Sequence, residues 1–346
     1  MSEKIEANFQ KESEVREQEL GGLFPVIEKD KLDLARSIKL EHETGVLEDK
    51  GDYSYWTAVV GENGKVVEGK IFISGEGKKK LLFFEPGMPG DSNKWMEQKF
   101  VPQLLREGYS VFCARHRGTK VNAENSSEYV NCPERTNLTQ EQDAVLGAVG
   151  DKKEFTVKDI AEEPRIVLDT IGKNFEEIFL VGHSNGVGGI ASSVGELPKE
   201  ITDRIVNFVG LSGFVSRYEK DKDLFDAKGV LNSKGVRKYY EAVARAINLG
   251  DLDRNVELQK QVLDLIYNSK IPENINIVLV NSPKDEVIPI ETPKQFHDFA
   301  GRGLRITDES QFEEPFHDLK NLRPETLSRL LKIYHPKRKH TITVRK

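Results

Sequence analysis

A serine lies at the junction between an apolar run and a glycine-rich segment of this sequence. Residues 178–181 read Ile-Phe-Leu-Val, and residues 182–186, Gly-His-Ser-Asn-Gly, follow directly. The run is typical of a strand buried on both faces, and the small residues around Ser184 permit a tight, strained turn that exposes its hydroxyl. The N–H of Asn185 would lie at a helix N-terminus, facing a developing oxyanion. The pattern predicts a serine nucleophile, and an ordinary serine in a strand-to-helix turn is the alternative.

A base and an acid follow Ser184 in the sequence, as activation of a serine hydroxyl requires. Asp285 lies in the loop after an apolar segment, and His317 precedes the last predicted helix. In this arrangement His317 would remove the Ser184 proton, while Asp285 would hold the other ring nitrogen. Glu286 and Asp318 are alternatives to Asp285, because carboxylates also occur in turns for capping reasons.

A second loop could donate a hydrogen bond to an oxyanion. Residues 85–90 read Glu-Pro-Gly-Met-Pro-Gly and follow a predicted strand. Because Pro89 has no N–H, Met88 is the expected donor beside Asn185. The alternative is that the prolines and glycines only form a turn.

These motifs resemble those of the α/β-hydrolase superfamily. Residues 182–186 resemble its Gly-x-Ser-x-Gly nucleophile elbow, and residues 281–289, Asn-Ser-Pro-Lys-Asp-Glu-Val-Ile-Pro, resemble its acid loop. Residues 87–90 resemble the Gly-Phe-Pro-Gly stretch of many esterases, except that Pro86 stands where the family usually has His. This departure leaves open which hydrogen bonds support the loop.

The resemblance covers residues 53–335 and implies an α/β-hydrolase fold, with a mostly parallel central sheet flanked by helices and an inserted helical lid. It also implies hydrolysis through an acyl-enzyme on Ser184, without a metal or an organic cofactor. The chain order of Ser184, Asp285 and His317 is that of the superfamily's triad, and Met88 and Asn185 take the positions of its oxyanion hole.

The substrate class stays open at this point. A carboxylic ester or a thioester is the first expectation, because ester cleavage is the commonest activity of this set of residues. A serine peptidase of the prolyl-oligopeptidase or aminopeptidase type is the alternative, and an acidic lid residue that binds a free amine would favour it. A non-catalytic binding protein on the same fold is the third hypothesis.

The alternation of apolar segments with helical patterns predicts parallel βαβ units after an initial hairpin. We divide the chain into a charged N-terminal arm (1–52), the first part of the core (53–212), a helical lid insertion (213–273), the second part of the core (274–335) and a basic tail (336–346). The alternative for residues 213–273 is a set of ordinary crossover helices. Predicted strands cover residues 56–60, 66–74, 81–85, 109–114, 178–181, 205–211, 275–280 and 304–306, and predicted helices cover residues 95–106, 164–172 and 292–301 and a last segment around Leu327.

Composition limits the other function classes. The 346 residues include 51 Lys and Arg against 57 Asp and Glu, a formal net charge of −6, so no basic field suggests a nucleic-acid partner. No apolar stretch could span a membrane, and the charged N-terminal residues lack a signal-peptide core, so we expect a cytoplasmic protein. The partner would be a small-molecule or peptide acyl substrate, and the oligomeric state stays open.

Three further polar features are secondary to the serine motif. His183, the variable position of the motif, is expected to pack or orient rather than act as a base. The run Arg115-His116-Arg117-Gly118 follows a predicted strand and could bind an anionic group, although such residues are usually solvated. Cys113 and Cys132 are too few for a disulfide framework and are expected to be reduced thiols.

Overall fold

The computed structural model describes the parts of the chain that form the sheet and most of the helices against it. These are residues 53–60, 66–75, 79–88, 95–116, 156–213, 270–282, 304–306 and 317–333, with single positions at 254, 258, 261–262, 265–266, 268, 285 and 288. The predicted arm (1–52), the predicted helix 292–301, the basic tail (336–346) and Cys132 lie outside the described residues.

Eight strands of the described residues form one sheet, in the order β1-β2-β4-β3-β5-β6-β7-β8. The hairpin β1–β2 is antiparallel, and β2 also pairs antiparallel with β4, whereas the six strands from β4 to β8 in this order are parallel to one another. The strands are β1 Tyr53–Val60, β2 Val66–Ile73, β3 Lys80–Glu85, β4 Tyr109–Arg115, β5 Glu177–His183, β6 Ile205–Leu211, β7 Asn276–Val280 and β8 Leu304–Ile306. The predicted hairpin and mostly parallel sheet are confirmed.

Helices cover both faces of the sheet because its central strands carry apolar side chains on both faces. In β5, Leu180 faces one core, with Phe83 of β3, and Val181 faces the other, with Leu82 of β3. This alternation is the two-residue period of a strand in a sheet that is buried on both faces. The helices are α1 Val101–Arg106, α2 Val157–Ala161, α3 Glu163–Ile171, α4 Asn185–Ser193, α5 Lys199–Thr202 and α6 Pro324–Leu331. α2, α3 and α4 pack on the first face, and α1 and α6 pack on the second.

Two helices differ from the sequence prediction. The predicted helix 95–106 begins as a π-helical turn, Met96–Phe100, and continues as α1, whose second residue is Pro102. Pro102 cannot donate a backbone hydrogen bond to the preceding turn, so the hydrogen-bond pattern changes there. The short helix α2 was not predicted; Thr156 caps it by accepting from the Asp159 N–H, and Asp159 accepts from the Thr156 N–H in return.

Only scattered positions of the predicted lid (213–273) lie among the described residues. Val262 and Ile266 are helical and buried in the core that contains α4, and Leu258 packs against it from a half-buried position. Leu265, which lies between Val262 and Ile266 in the sequence, is 37% exposed. These contacts favour a helix packed on the core, and the lid stays a prediction, as do the domain boundaries.

No helix among the described residues is long and apolar enough to span a bilayer.

Candidate functional site

The carboxyl ends of four parallel strands meet at one edge of the sheet. Gly182 of β5 pairs with Glu85 of β3, and His183 pairs with Leu211 of β6, which in turn pairs with Val280 of β7. Backbone bonds extend this pairing past the strand ends: the Ser184 N–H donates to the Leu211 carbonyl at 2.9 Å, and the Ser212 N–H donates to the Val280 carbonyl at 2.8 Å. Loops that leave this edge therefore start close together.

Ser184 stands between β5 and α4 in a conformation that L-residues rarely adopt. Its φ is 50° and its ψ is −119°, and the residue is 4% exposed. Strain of this kind persists only where the surroundings hold it. A Cβ on Gly182 would lie 2.8 Å from the backbone N of Val187, and one on Gly186 would collide with the backbone carbonyls of Glu85 and Pro86. The turn therefore requires glycine at both positions, as expected for a tight strand-to-helix turn.

The loop after β3 lies directly against the serine. A Cβ on Gly87 would lie 2.8 Å from Ser184 Cβ and 3.0 Å from His183 Nδ1. Met88 follows at once and is buried, with 3% of its surface exposed. Asn185 is the first residue of α4, where backbone N–H groups lack partners within the helix. The structure thus brings the segments of both expected donors, Met88 and Asn185, to the serine.

Asp285 and His317 form a direct side-chain pair. His317 Nδ1 lies 3.1 Å from Asp285 Oδ2, and Asp285 Oδ1 accepts from the Ile288 N–H at 2.8 Å. The Asp285 side chain is fully buried, whereas the His317 side chain is 20% exposed. A carboxylate accepts only, so the neutral imidazole carries its proton on Nδ1 and keeps Nε2 as its basic nitrogen.

His183 joins this pair to the serine turn. Its Nε2 donates to the backbone carbonyl of His317 at 2.6 Å, and the two imidazole rings have their centroids 5.3 Å apart. Burial, followed by the nearby His317, lowers the pKa of His183 to about 4. His183 is therefore neutral near pH 7, with its proton on Nε2, and it orients rather than acts as a base. Sequence reasoning expected a packing or orienting residue but could not name His317 as its partner.

The alternative acids differ from Asp285 in their surroundings. The Asp318 side chain caps the short 3₁₀ turn Leu319–Asn321 by accepting from the Lys320 N–H, and it also contacts the Lys320 ammonium at 3.4 Å. Its carboxylate is 39% exposed in that ion pair. Glu286, the other alternative, lies outside the described residues.

The first two residues of the polar run 115–118 are buried, contrary to the expectation that such residues are solvated. Arg115 is 2% exposed and His116 is 1% exposed, while Arg117 and Gly118 lie outside the described residues. His116 contacts Glu163 of α3, and together with Glu85 these side chains place one nitrogen and two oxygen atoms within 4.8 Å of one another, close enough to hold a cation. The sequence gives little signal for this group, because His116 stands between two arginines and Glu163 follows another glutamate.

Comparison with known proteins gives structural similarity without sequence similarity. No protein-family model matches the chain, and no curated protein sequence matches it. In contrast, 1148 chains of solved structures match, a breadth that specifies a fold rather than a substrate.

Three of these structures illustrate the likeness. The structure of DcsB in complex with its substrate analogue has a TM-score of 0.53 and 11% identity, over 81% of this chain and 99% of that one. Est2, a thermophilic esterase from the Planctomycetes species Thermogutta terrifontis, has a TM-score of 0.46 and 13% identity, over 81% and 91%. AbyA5 has a TM-score of 0.48 and 14% identity, and the matched region is 74% of this chain but only 64% of AbyA5, less than two thirds of its length.

The topology agrees with this likeness. Six parallel strands follow an antiparallel hairpin, helices cover both faces, and a strained serine stands between β5 and α4 at the carboxyl edge. This chain has the α/β-hydrolase fold.

Proposed function

We propose that this chain is a serine hydrolase that cleaves a carboxylic ester or a thioester through an acyl-enzyme on Ser184. One observation carries the proposal. The strained Ser184 turn, with φ of 50°, lies one residue from His183, which binds the backbone of His317 at 2.6 Å, while His317 contacts Asp285 at 3.1 Å. A nucleophile, a base and an acid thus share one sheet edge.

The first step would be attack of the Ser184 Oγ on the acyl carbonyl carbon. His317 Nε2 takes the hydroxyl proton as the C–O bond forms, and the imidazolium that results is stabilised by Asp285 through Nδ1–H. The buried carboxylate is suited to this role because its second oxygen is already held by the Ile288 N–H, which fixes its orientation.

The carbonyl oxygen becomes negatively charged in the tetrahedral intermediate. The N–H groups of Met88 and Asn185 are the proposed donors to it, because both segments lie against Ser184 and backbone donors require no reorganisation. The N-terminus of α4 adds a favourable dipole at the same place.

Collapse of the intermediate releases the leaving group and completes the acylation half. His317 returns the proton to the departing alcohol or thiol, and the acyl group stays on Ser184. In the second half His317 Nε2 deprotonates a water molecule as it attacks the ester carbonyl, and His317 then returns that proton to the Ser184 Oγ as the acyl–oxygen bond breaks and the carboxylic acid leaves. The same residues thus act twice, and the reaction consumes one water molecule per bond.

A fluorophosphonate probe tests the nucleophile. We expect wild-type protein to be labelled and Ser184→Ala protein to be unlabelled. Ser192→Ala is the matched control, because Ser192 lies in the same helix and its hydroxyl donates to the Gly189 carbonyl at 2.9 Å. Labelling that survives Ser184→Ala would contradict the proposal, and an unlabelled wild type would favour the non-catalytic binding protein.

A substrate panel tests the bond that is cleaved. We expect hydrolysis of p-nitrophenyl esters of short and medium acyl chains or of acyl thioesters, in each case abolished by Ser184→Ala. Faster cleavage of aminoacyl arylamides than of any ester would instead support the serine peptidase alternative.

A further inference from the structure

A second group of titratable side chains lies beside the loop that carries Met88. Glu85 ends β3, His116 follows β4, and Glu163 begins α3, so three separate elements bring them together. The side chains of all three are 0% exposed. The mechanism proposed above does not use any of them.

His116 uses both of its ring nitrogens. Nε2 lies 3.0 Å from the Pro86 carbonyl oxygen, and Nδ1 lies 2.9 Å from Glu163 Oε2 and 3.5 Å from Glu85 Oε1. A carbonyl oxygen only accepts, so Nε2 carries a proton and donates it to Pro86. A second proton must lie between Nδ1 and the Glu163 carboxyl group, because two lone pairs at 2.9 Å would repel each other.

The bond to Pro86 fixes a peptide plane next to the serine. The Pro86–Gly87 peptide is planar, so holding its carbonyl oxygen also fixes the direction of the Gly87 N–H. Gly87 in turn lies against Ser184, and the next peptide carries the Met88 N–H. The loop therefore contacts His116 through the Pro86 carbonyl and the serine turn through Gly87.

We propose that the proton-bridged His116–Glu163 pair, with Glu85 beside it, is a positioning device that holds this loop so that Met88 can donate to the oxyanion. The inference rests on the proposed function. His116 is a positioning residue that acts through the Pro86 carbonyl, and Glu163 acts through His116. Full burial makes the device stiff, because a buried polar group that loses its partner cannot turn to water instead.

Two variants test the pair in the full chain. His116→Gln removes the imidazole, and Glu163→Gln keeps the size of the side chain but removes its charge. With p-nitrophenyl acetate we expect kcat to fall about 10- to 100-fold in each, less than the 10²- to 10³-fold cost of deleting an oxyanion donor. We expect KM to change little, because the oxyanion forms only in the transition state.

Glu97→Gln is the matched control for loss of a buried ion pair. Glu97 Oε2 contacts Lys70 Nζ at 3.5 Å on the opposite face of the sheet, and both side chains are largely buried. We expect its kcat to match the wild type at a temperature where circular dichroism shows every variant folded. If His116→Gln and Glu163→Gln also keep wild-type kcat, the inference is wrong while the proposed function stands. A wild type that neither reacts with the probe nor hydrolyses esters would overturn both.

A spectroscopic measurement covers the case in which these variants do not fold. In the His317→Ala protein, proton NMR should still show one strongly deshielded, slowly exchanging imidazole N–H, which belongs to the His116–Glu163 pair. Absence of that resonance would contradict the proton bridge. One equivalent of a divalent metal in the purified wild-type protein, lost together with activity on chelation, would also overturn it in favour of a cation held by the same three side chains.

Discussion

Two imidazole–carboxylate pairs flank the turn at Ser184, and they differ in what the second ring nitrogen does. In the pair of His317 and Asp285 the imidazole is 20% exposed and Nε2 keeps its lone pair. In the pair of His116 and Glu163 both side chains are 0% exposed and Nε2 donates to a backbone carbonyl. The His317–Asp285 pair thus keeps a nitrogen for the proposed proton transfer, whereas both nitrogens of His116 are used to hold the protein itself.

This difference shows that the distance between a histidine and a carboxylate does not define a role. The two contacts, 3.1 Å and 2.9 Å, are almost equal. The role follows from the bonding of the opposite nitrogen and from access to the reacting groups. The variants below separate the two pairs by what they do to turnover and to stability.

The largest effect on turnover is expected at the pair of His317 and Asp285. His317→Ala should lower kcat by about 10⁶-fold, as Ser184→Ala should, because nucleophile and base act as one unit. Steady-state hydrolysis of a p-nitrophenyl ester, followed after any initial burst, measures kcat for these variants. If His317→Ala lowered kcat no more than His116→Gln, the proposed difference between the two pairs would be wrong.

Loss of the acid, Asp285, should lower kcat less than loss of the base, His317. Asp285→Asn should lower kcat by about 10⁴-fold, because the amide favours the wrong imidazole tautomer while the serine and histidine stay in place. Asp318→Asn is the matched control at a neighbouring position, since Asp318 contacts Lys320 rather than the imidazole. Equal losses in the two variants would remove Asp285 from its proposed role.

The backbone contact between the loop and the serine should give an intermediate effect. Gly87→Ala places a methyl group 2.8 Å from Ser184 Cβ, a distance that forces the loop away. We expect kcat to fall by about 10²- to 10³-fold with the fluorophosphonate reaction slowed in parallel. Unchanged rates would show that the loop can move without loss of the Met88 donor.

The smallest effect concerns stability rather than turnover. Because the pKa of His183 is about 4 in the fold and about 6.5 when unfolded, the unfolded chain takes up this proton first as pH falls. His183 therefore favours folding fully above pH 6.5, and up to about 3 kcal/mol is lost between pH 6.5 and pH 4. Urea titrations across this range should show a steeper fall in the wild type than in His183→Gln. Parallel curves would contradict a buried neutral His183.

The parts of the fold that the sequence predicted well are those with an unbroken local pattern. The continuous apolar runs of β3 and β5 favour doubly buried strands, and the glycines around Ser184 permit a tight turn. The helix at residues 95–106 was predicted only in part, because a π-helical turn depends on where Pro102 interrupts the hydrogen bonds.

The remaining contacts are non-local, which is why no window of the sequence contains them. His116 and Glu163 are 47 residues apart, and His116 and Pro86 are 30 residues apart. Pro86 stands where the resembled family usually has His, and His116, which follows β4, bonds the Pro86 carbonyl. His183 presents the same difficulty, since its partner carbonyl lies 134 residues away.

The contact of Gly186 with the carbonyls of Glu85 and Pro86 has a mechanical consequence. Two backbones that touch without an intervening side chain have no torsion angle between them through which to adjust. A displacement of the loop at this contact is therefore transmitted directly to the first turn of α4. In the proposed hydrolase, a substitution that moves the loop would therefore also move the Asn185 donor, whereas a substitution that touches neither segment would leave both donors in place.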